Sequence, residues 1–198
     1  AGALGCFAFG VGSTDMANAL CTKDVRGTVP ETSRFNLRGK RREGVCAKDV
    51  MLHILAMPFF KSGAGIGKVI EFAGDGVRGL PLDERATLTN MAVEAGGFTG
   101  ILEADEVVVE YLVTQRGLSA DDVRARIVRA DEGATYCATF DVDLSAVVPM
   151  VATPGDPRNG VPLAELEKKG DVKIDLAYGG PCTGGKKADM DMYASVLR

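Results

Sequence analysis

Residues 47–74, AKDVMLHILAMPFFKSGAGIGKVIEFAG, set the fold class. Over 47–57, Val50, His53, Ile54 and Met57 recur at helical spacing, Pro58 cannot continue the helix, and the glycine-rich run 63–67 leads into a strand over 68–72. A helix that turns through glycines into a short apolar run is half of an α/β repeat, and the alternation extends in both directions. Upstream, 33–37 reads as a strand, and 16–20 as the start of a helix that Ser13, Thr14 or Asp15 could cap. Downstream, a helix over 82–95 opens with Asp83 and Glu84, whose charge favours a helix N-terminus, and stops at Gly96 and Gly97. A strand over 98–102, helices over 106–116 and 119–127, and strands over 138–142 and 147–152 follow. The Pro, Gly, Asp and Asn residues of 154–161 read as a linker, and 172–177 as a buried strand leading to a glycine-rich turn and a last helix.

A chain of 198 residues with 46% hydrophobic and 25% charged residues can bury a core. Its formal charge of −4 argues against nucleic acid as a partner, because Arg38, Lys40, Arg41 and Arg42 are the one cationic cluster. No stretch reaches the roughly 18 consecutive apolar residues of a membrane span, and the first residues lack the charged start of a signal peptide. Five cysteines at wide spacing, without a CxxC pair, suit neither a disulfide framework nor a zinc site. The expectation is a cytoplasmic protein without a membrane partner.

Several motifs invite a chemical reading. Ser62 and Val69 stand where a phosphate-binding loop needs Gly and Ser or Thr, so the run 62–68 reads as a turn or a close backbone approach. His53, the one histidine, reads as a packed core residue. Cys6, Cys21, Cys46 and Cys137 read as small structural hydrophobes. Cys182 differs, since a turn between a strand and a helix presents its sulfur beside a helix N-terminus, where thiolate is favoured. On spacing alone, a ligand or nucleophile and an inert core residue fit it equally. Thr87, Asn90 and Glu94 fall at i, i+3 and i+7, a polar stripe without the Lys and Arg of an ordinary solvated face.

Five segments in order, Leu4-Gly-Cys-Phe-Ala-Phe-Gly-Val-Gly-Ser-Thr-Asp15, Val45-Cys-Ala-Lys-Asp-Val50, Val69-Ile-Glu-Phe-Ala-Gly74, Thr89-Asn-Met-Ala-Val-Glu94 and Gly180-Pro-Cys-Thr-Gly184, resemble landmarks of the aconitase and isopropylmalate isomerase superfamily. The resemblance implies incomplete aconitase-like α/β/α subdomains with mixed sheets: the end of a first subdomain (1–32), a central one (33–152), and a linker with the start of a third (153–198). It implies a hydro-lyase that isomerises a hydroxy di- or tricarboxylic acid by dehydration and rehydration. Cys182 would match the first of three cysteines holding a 4Fe-4S cluster, Asn90 an asparagine that hydrogen-bonds near it, and Glu94 an active-site glutamate close to its iron. The family's turn is Gly-Ser-Cys-Thr-Asn, so Pro181 and Gly184 depart from it. The other two cluster cysteines would lie beyond Arg198, and the chain alone is expected to be inactive. Its partners would be a small carboxylic acid and the remaining aconitase domains or a small subunit. The alternatives are a cluster-free structural or regulatory binding module and an enzyme with Cys182 as nucleophile.

Overall fold

Strand β1 (Thr32–Arg38) alternates: Ser33, Phe35 and Leu37 are buried on one face, whereas Arg34 and Asn36 are half-buried on the other. The computed structural model describes residues 2–180 and 183–197. Helices α1 (Ser13–Thr22), α2 (Ala47–Leu55) and α3 (Pro58–Lys61) flank β1 in the chain, and β2 (Val69–Ala73), α4 (Asp75–Arg78), α5 (Leu82–Asn90) and β3 (Thr99–Leu102) follow. Next come α6 (Glu106–Arg116), α7 (Ala120–Ala125) and β4 (Ala138–Asp143). The last elements are β5 (Met150–Ala152), β6 (Gly160–Pro162), α8 (Leu163–Glu167) and α9 (Lys187–Leu197).

The four longer strands form a wholly parallel sheet in the order β3-β2-β1-β4. Every connection within it passes through helices, which parallel pairing requires. The α/β class is therefore as expected, while antiparallel pairing is confined to a separate β5–β6 hairpin. The chain moves outward from β1 to β3 and then returns to β4 beyond β1. Right-handed crossovers consequently put α2 and α5 on one face and α6 and α7 on the other. On the first face Phe35, Leu37, Ile70, Phe72 and Leu102 of the sheet pack with Val50, Met51, Ile54 and Leu55 of α2 and Leu88 of α5. Each such side chain contributes roughly 1.5–3 kcal/mol when fully buried. Val108, Val109 and Val123 are buried outside that cluster.

Two expectations change. The 154–161 stretch is the turn of the β5–β6 hairpin, over 154–159, and the start of β6, in which Val161 pairs with Val151; turn-forming residues bend a hairpin as readily as they loosen a linker. Residues 172–177 form no strand, and Val172, Ile174 and Leu176 are 62%, 69% and 81% exposed. Their alternation is strand-like, but among the described residues no neighbouring strand pairs with them, so neither the ladder nor the burial forms.

Arg85 ties the layers together. Its side chain is fully buried, its Nε donates to the Leu80 carbonyl at 2.9 Å and its Nη2 to that of Val77 at 3.3 Å. The two Nη groups also grip Asp105 at 2.7 and 2.8 Å. Asp105 in turn caps α6 by accepting from Val107 N at 3.0 Å. Partial burial opposes ionisation of Asp105, but the Arg85 hydrogen bonds and charge outweigh it and hold the carboxyl below its ordinary value. A lowered folded-state value means that this pair contributes fully above the ordinary carboxylate range, and that the contribution fades as pH falls through and below it. Replacing Arg85 by Met should cost about 3 kcal/mol and flatten this acid-side slope, as read from urea unfolding midpoints between neutral and acid pH.

Candidate functional site

Helix α5 begins after Pro81, with Asp83 and Glu84 in its first turn, and lies directly on β3 because residue 100 is glycine. A Cβ at Gly100 would stand 2.7 Å from the Thr89 Cα. The regular helix ends at Asn90, five residues short of the expected 95, and 91–96 continues as turns. Gly96, at φ 75°, and the Gly97 N–H bonded to the Ala92 carbonyl at 2.9 Å let the chain swing into β3. Glu94 accordingly sits on a turn past the helix rather than at an ideal helical offset from Thr87.

The three polar residues of the stripe differ in exposure. Thr87 is 4% exposed, Asn90 is half-buried and Glu94 is exposed. Among the described residues Glu94 has no hydrogen-bond or ion-pair partner. Glu94 borders a cavity of about 440 Å³ that is also lined by Cys46, Lys48, Asp49, Met91 and Thr183. Cys182 lies outside the described residues; Thr183, its neighbour, is 7% exposed. The Thr87 hydroxyl reaches the Thr183 carbonyl at 3.0 Å, across 96 residues of chain. Thr87, Glu94 and the residue after Cys182 thus meet at one place.

The opposite wall comes from α2. Asp49, at its third position, accepts from Cys46 N at 2.8 Å and, through its other oxygen, from Met150 N at 2.8 Å. The first bond, with the Cys46 side chain on the Asp49 N–H, closes a capping box; the second fastens the hairpin to the helix. Sequence reasoning passed over Asp49 because cysteine stands where Ser or Thr usually marks such a box. It also passed over Lys186, whose signal was only Asp189 three residues later. Among the described residues no three His, Cys, Asp or Glu side chains converge as a metal site. What the described residues offer such a group is one acidic side chain without a protein partner, Glu94, lining the same cavity as Thr183, the residue that follows Cys182 in the chain.

A larger cavity, of about 680 Å³, lies at the C-terminal ends of β2 and β3. Its charged walls include Asp105 and Glu103, already paired with Arg85 and Arg129. It is lined by the end of the segment 69–74 but by neither Asn90 nor Glu94.

The sequence matches the profile of the Aconitase family (aconitate hydratase) over residues 1–198. The chain belongs to the aconitase family. It is 40% identical over 197 residues to the 3-isopropylmalate dehydratase large subunit of Acetivibrio thermocellus, covering 100% of this chain and 45% of that protein. The Helicobacter hepaticus large subunit is 40% identical over 199 residues, covering 100% of this chain and 44% of the relative. A third relative, 3-isopropylmalate dehydratase large subunit 1 of Pyrococcus furiosus, is 40% identical over 196 residues, covering 99% and 44%. The chain therefore spans less than half the length of these curated relatives.

The remaining cysteines are not packed as expected. Cys6, Cys21 and Cys137 are exposed, and Cys46 is half-buried. The apolar neighbours of Cys6 and Cys21 run along the surface rather than into the core, and α1 buries no residue. Burial, the largest influence, raises the Cys46 thiol above its ordinary value. His53 is half-buried, and its value is lowered by burial. Timed alkylation of the native chain, mapped by mass spectrometry, should label Cys6, Cys21 and Cys137 quickly and Cys46 more slowly, since thiolate is the reacting form.

Proposed function

We propose that this chain is part of an iron-sulfur-dependent hydro-lyase that isomerises a hydroxy di- or tricarboxylic acid by dehydration and rehydration. The observation that carries the reading is the convergence of Glu94 and Thr183 on one cavity, with Asn90 on the helix between Thr87 and Glu94. Membership of the aconitase family and likeness to dehydratase large subunits support it. In this reading Cys182 provides one of the cluster's thiolate ligands, and Asn90 hydrogen-bonds beside it. A bound cluster would supply a Lewis acid that polarises the departing hydroxyl.

This chain's own contribution is a proton and a wall. Removing water breaks a C–O bond on one carbon and a C–H bond on its neighbour; the hydroxyl leaves as water after gaining a proton, and rehydration reverses these changes. Glu94, free of protein partners among the described residues, exchanges that proton at the hydroxyl oxygen. Met91 and Leu52 line the same cavity and limit water there. The group that removes the carbon-bound proton, the other two cysteines and the residues that select the acid belong to the rest of the protein, so this chain alone is inactive. The subdomain division at 32 and 152 belongs to the same reading, as do partnership with a small subunit and a cytoplasmic location. The last is consistent with four free cysteines among the described residues and with the lack, among them, of a helix long and apolar enough to cross a membrane.

Anaerobic reconstitution with iron and sulfide, followed by visible absorption, tests the proposal on this chain and on one extended to the length of its relatives. Only the extended chain should gain the cluster band, and Cys182→Ala should remove it. Glu94→Gln should keep the band while lowering turnover by roughly 10²–10⁴-fold. A colourless extended chain would instead favour the cluster-free binding module.

A further inference from the structure

Lys186 has a position that the proposed chemistry does not account for. Its Nζ donates to Thr87 Oγ1 at 2.9 Å and to the Thr183 carbonyl at 2.8 Å, and lies 2.9 Å from Asp189 Oδ2. An ammonium has three N–H donors, and here each has its own acceptor. The Lys186 and Asp189 side chains are only 19% and 13% exposed, so this pair is shielded from solvent far more than an ordinary surface pair. The Asp189 carboxylate also accepts from Lys186 N at 3.0 Å, which fixes the start of α9.

The contacts order the turn from both sides. Thr87 Oγ1 accepts from Lys186 and donates to the Thr183 carbonyl, so one hydroxyl holds both ends of residues 183–186 to α5. Tyr193 OH adds a bond to the Gly184 carbonyl at 3.2 Å. By contrast, α9 buries no residue, and 172–176 is exposed on its apolar side. Apolar packing therefore does little to seat this segment, and a shielded charged clamp performs that task.

The geometry points to Lys186 as a positioning residue: by clamping Thr183 to Thr87 it fixes residues 183–186, which directly follow Cys182 in the chain, against α5 beside the cavity that Glu94 borders, and so governs how firmly the protein retains the iron-sulfur group. This rests on the hydro-lyase reading above. Met at 186 keeps the length of the stem but leaves Asp189 without its cation. Arg keeps the charge and several donors and should reach the same acceptors. Thr87→Val removes the shared hydroxyl while leaving the Lys186–Asp189 pair intact.

The test uses the full-length protein, reconstituted with iron and sulfide as wild type, Lys186→Met, Lys186→Arg and Thr87→Val. The readout is the rate at which the visible cluster band decays under an iron chelator, with thermal unfolding followed in parallel. Lys186→Met and Thr87→Val should lose the band roughly 10–100-fold faster than wild type, the range typical of lost outer-shell support, while Lys186→Arg stays near the wild-type rate. Should Lys186→Met fail to fold, the comparison of Thr87→Val with wild type decides alone. Decay at the wild-type rate in the folded variants overturns the positioning role and leaves the hydro-lyase reading standing. Absence of a band in the wild type overturns both.

Discussion

The buried guanidinium of Arg85 must find acceptors where water does not reach, and the surrounding elements are arranged so that it does. Two carbonyls near the end of α4 and both oxygens of Asp105 close around it. Because Asp105 also caps α6, one ionic contact sets α5 relative to the start of the next crossover. Helix α5 carries Thr87, Asn90 and, on the turn beyond it, Glu94. A rotation of α5 would therefore break the Arg85 contacts and misplace the polar stripe together. Gly100 supports the same placement sterically, allowing the helix backbone to rest on β3 without an intervening side chain.

Around this frame the candidate site is assembled from pieces distant in sequence. Asp49 fixes the hairpin to α2, Thr87 holds the turn at 183–186, and the turn after α5 brings Glu94 to their common cavity. These are polar contacts at the rim of an apolar core. The core in turn is made by one face of the sheet with α2 and α5. The stability of the unit thus comes mainly from burial, while its functional geometry comes from a few directional hydrogen bonds.

The outer segments behave differently from the central sheet. Residue Gly2 bridges to Ile101 at the β3 edge, yet α1 and α9 bury none of their residues. Phe7, Phe9 and Phe98 gather into an aromatic cluster whose first two members remain 51% and 38% exposed. The hydrophobic side chains of 172–178 are similarly open to solvent. Such surfaces accord with a chain that spans less than half of its relatives' length.

The sequence by itself determined the alternation of helices and strands, the family, and the succession of Thr87, Asn90 and Glu94 along one short stretch of chain. These follow from periodicity, from glycine and proline punctuation, and from motifs whose meaning is local. The end of α5 at Asn90, the folding of 154–159 into a hairpin turn and the exposure of Cys6, Cys21 and Cys137 required the tertiary structure. So did the roles of Arg85, Asp49 and Lys186, whose partners lie 20, 101 and 99 residues away. A local pattern specifies which face of an element is apolar. Which polar group meets which across the fold, and whether an apolar strand finds a neighbour, depends on the chain segments that packing brings together.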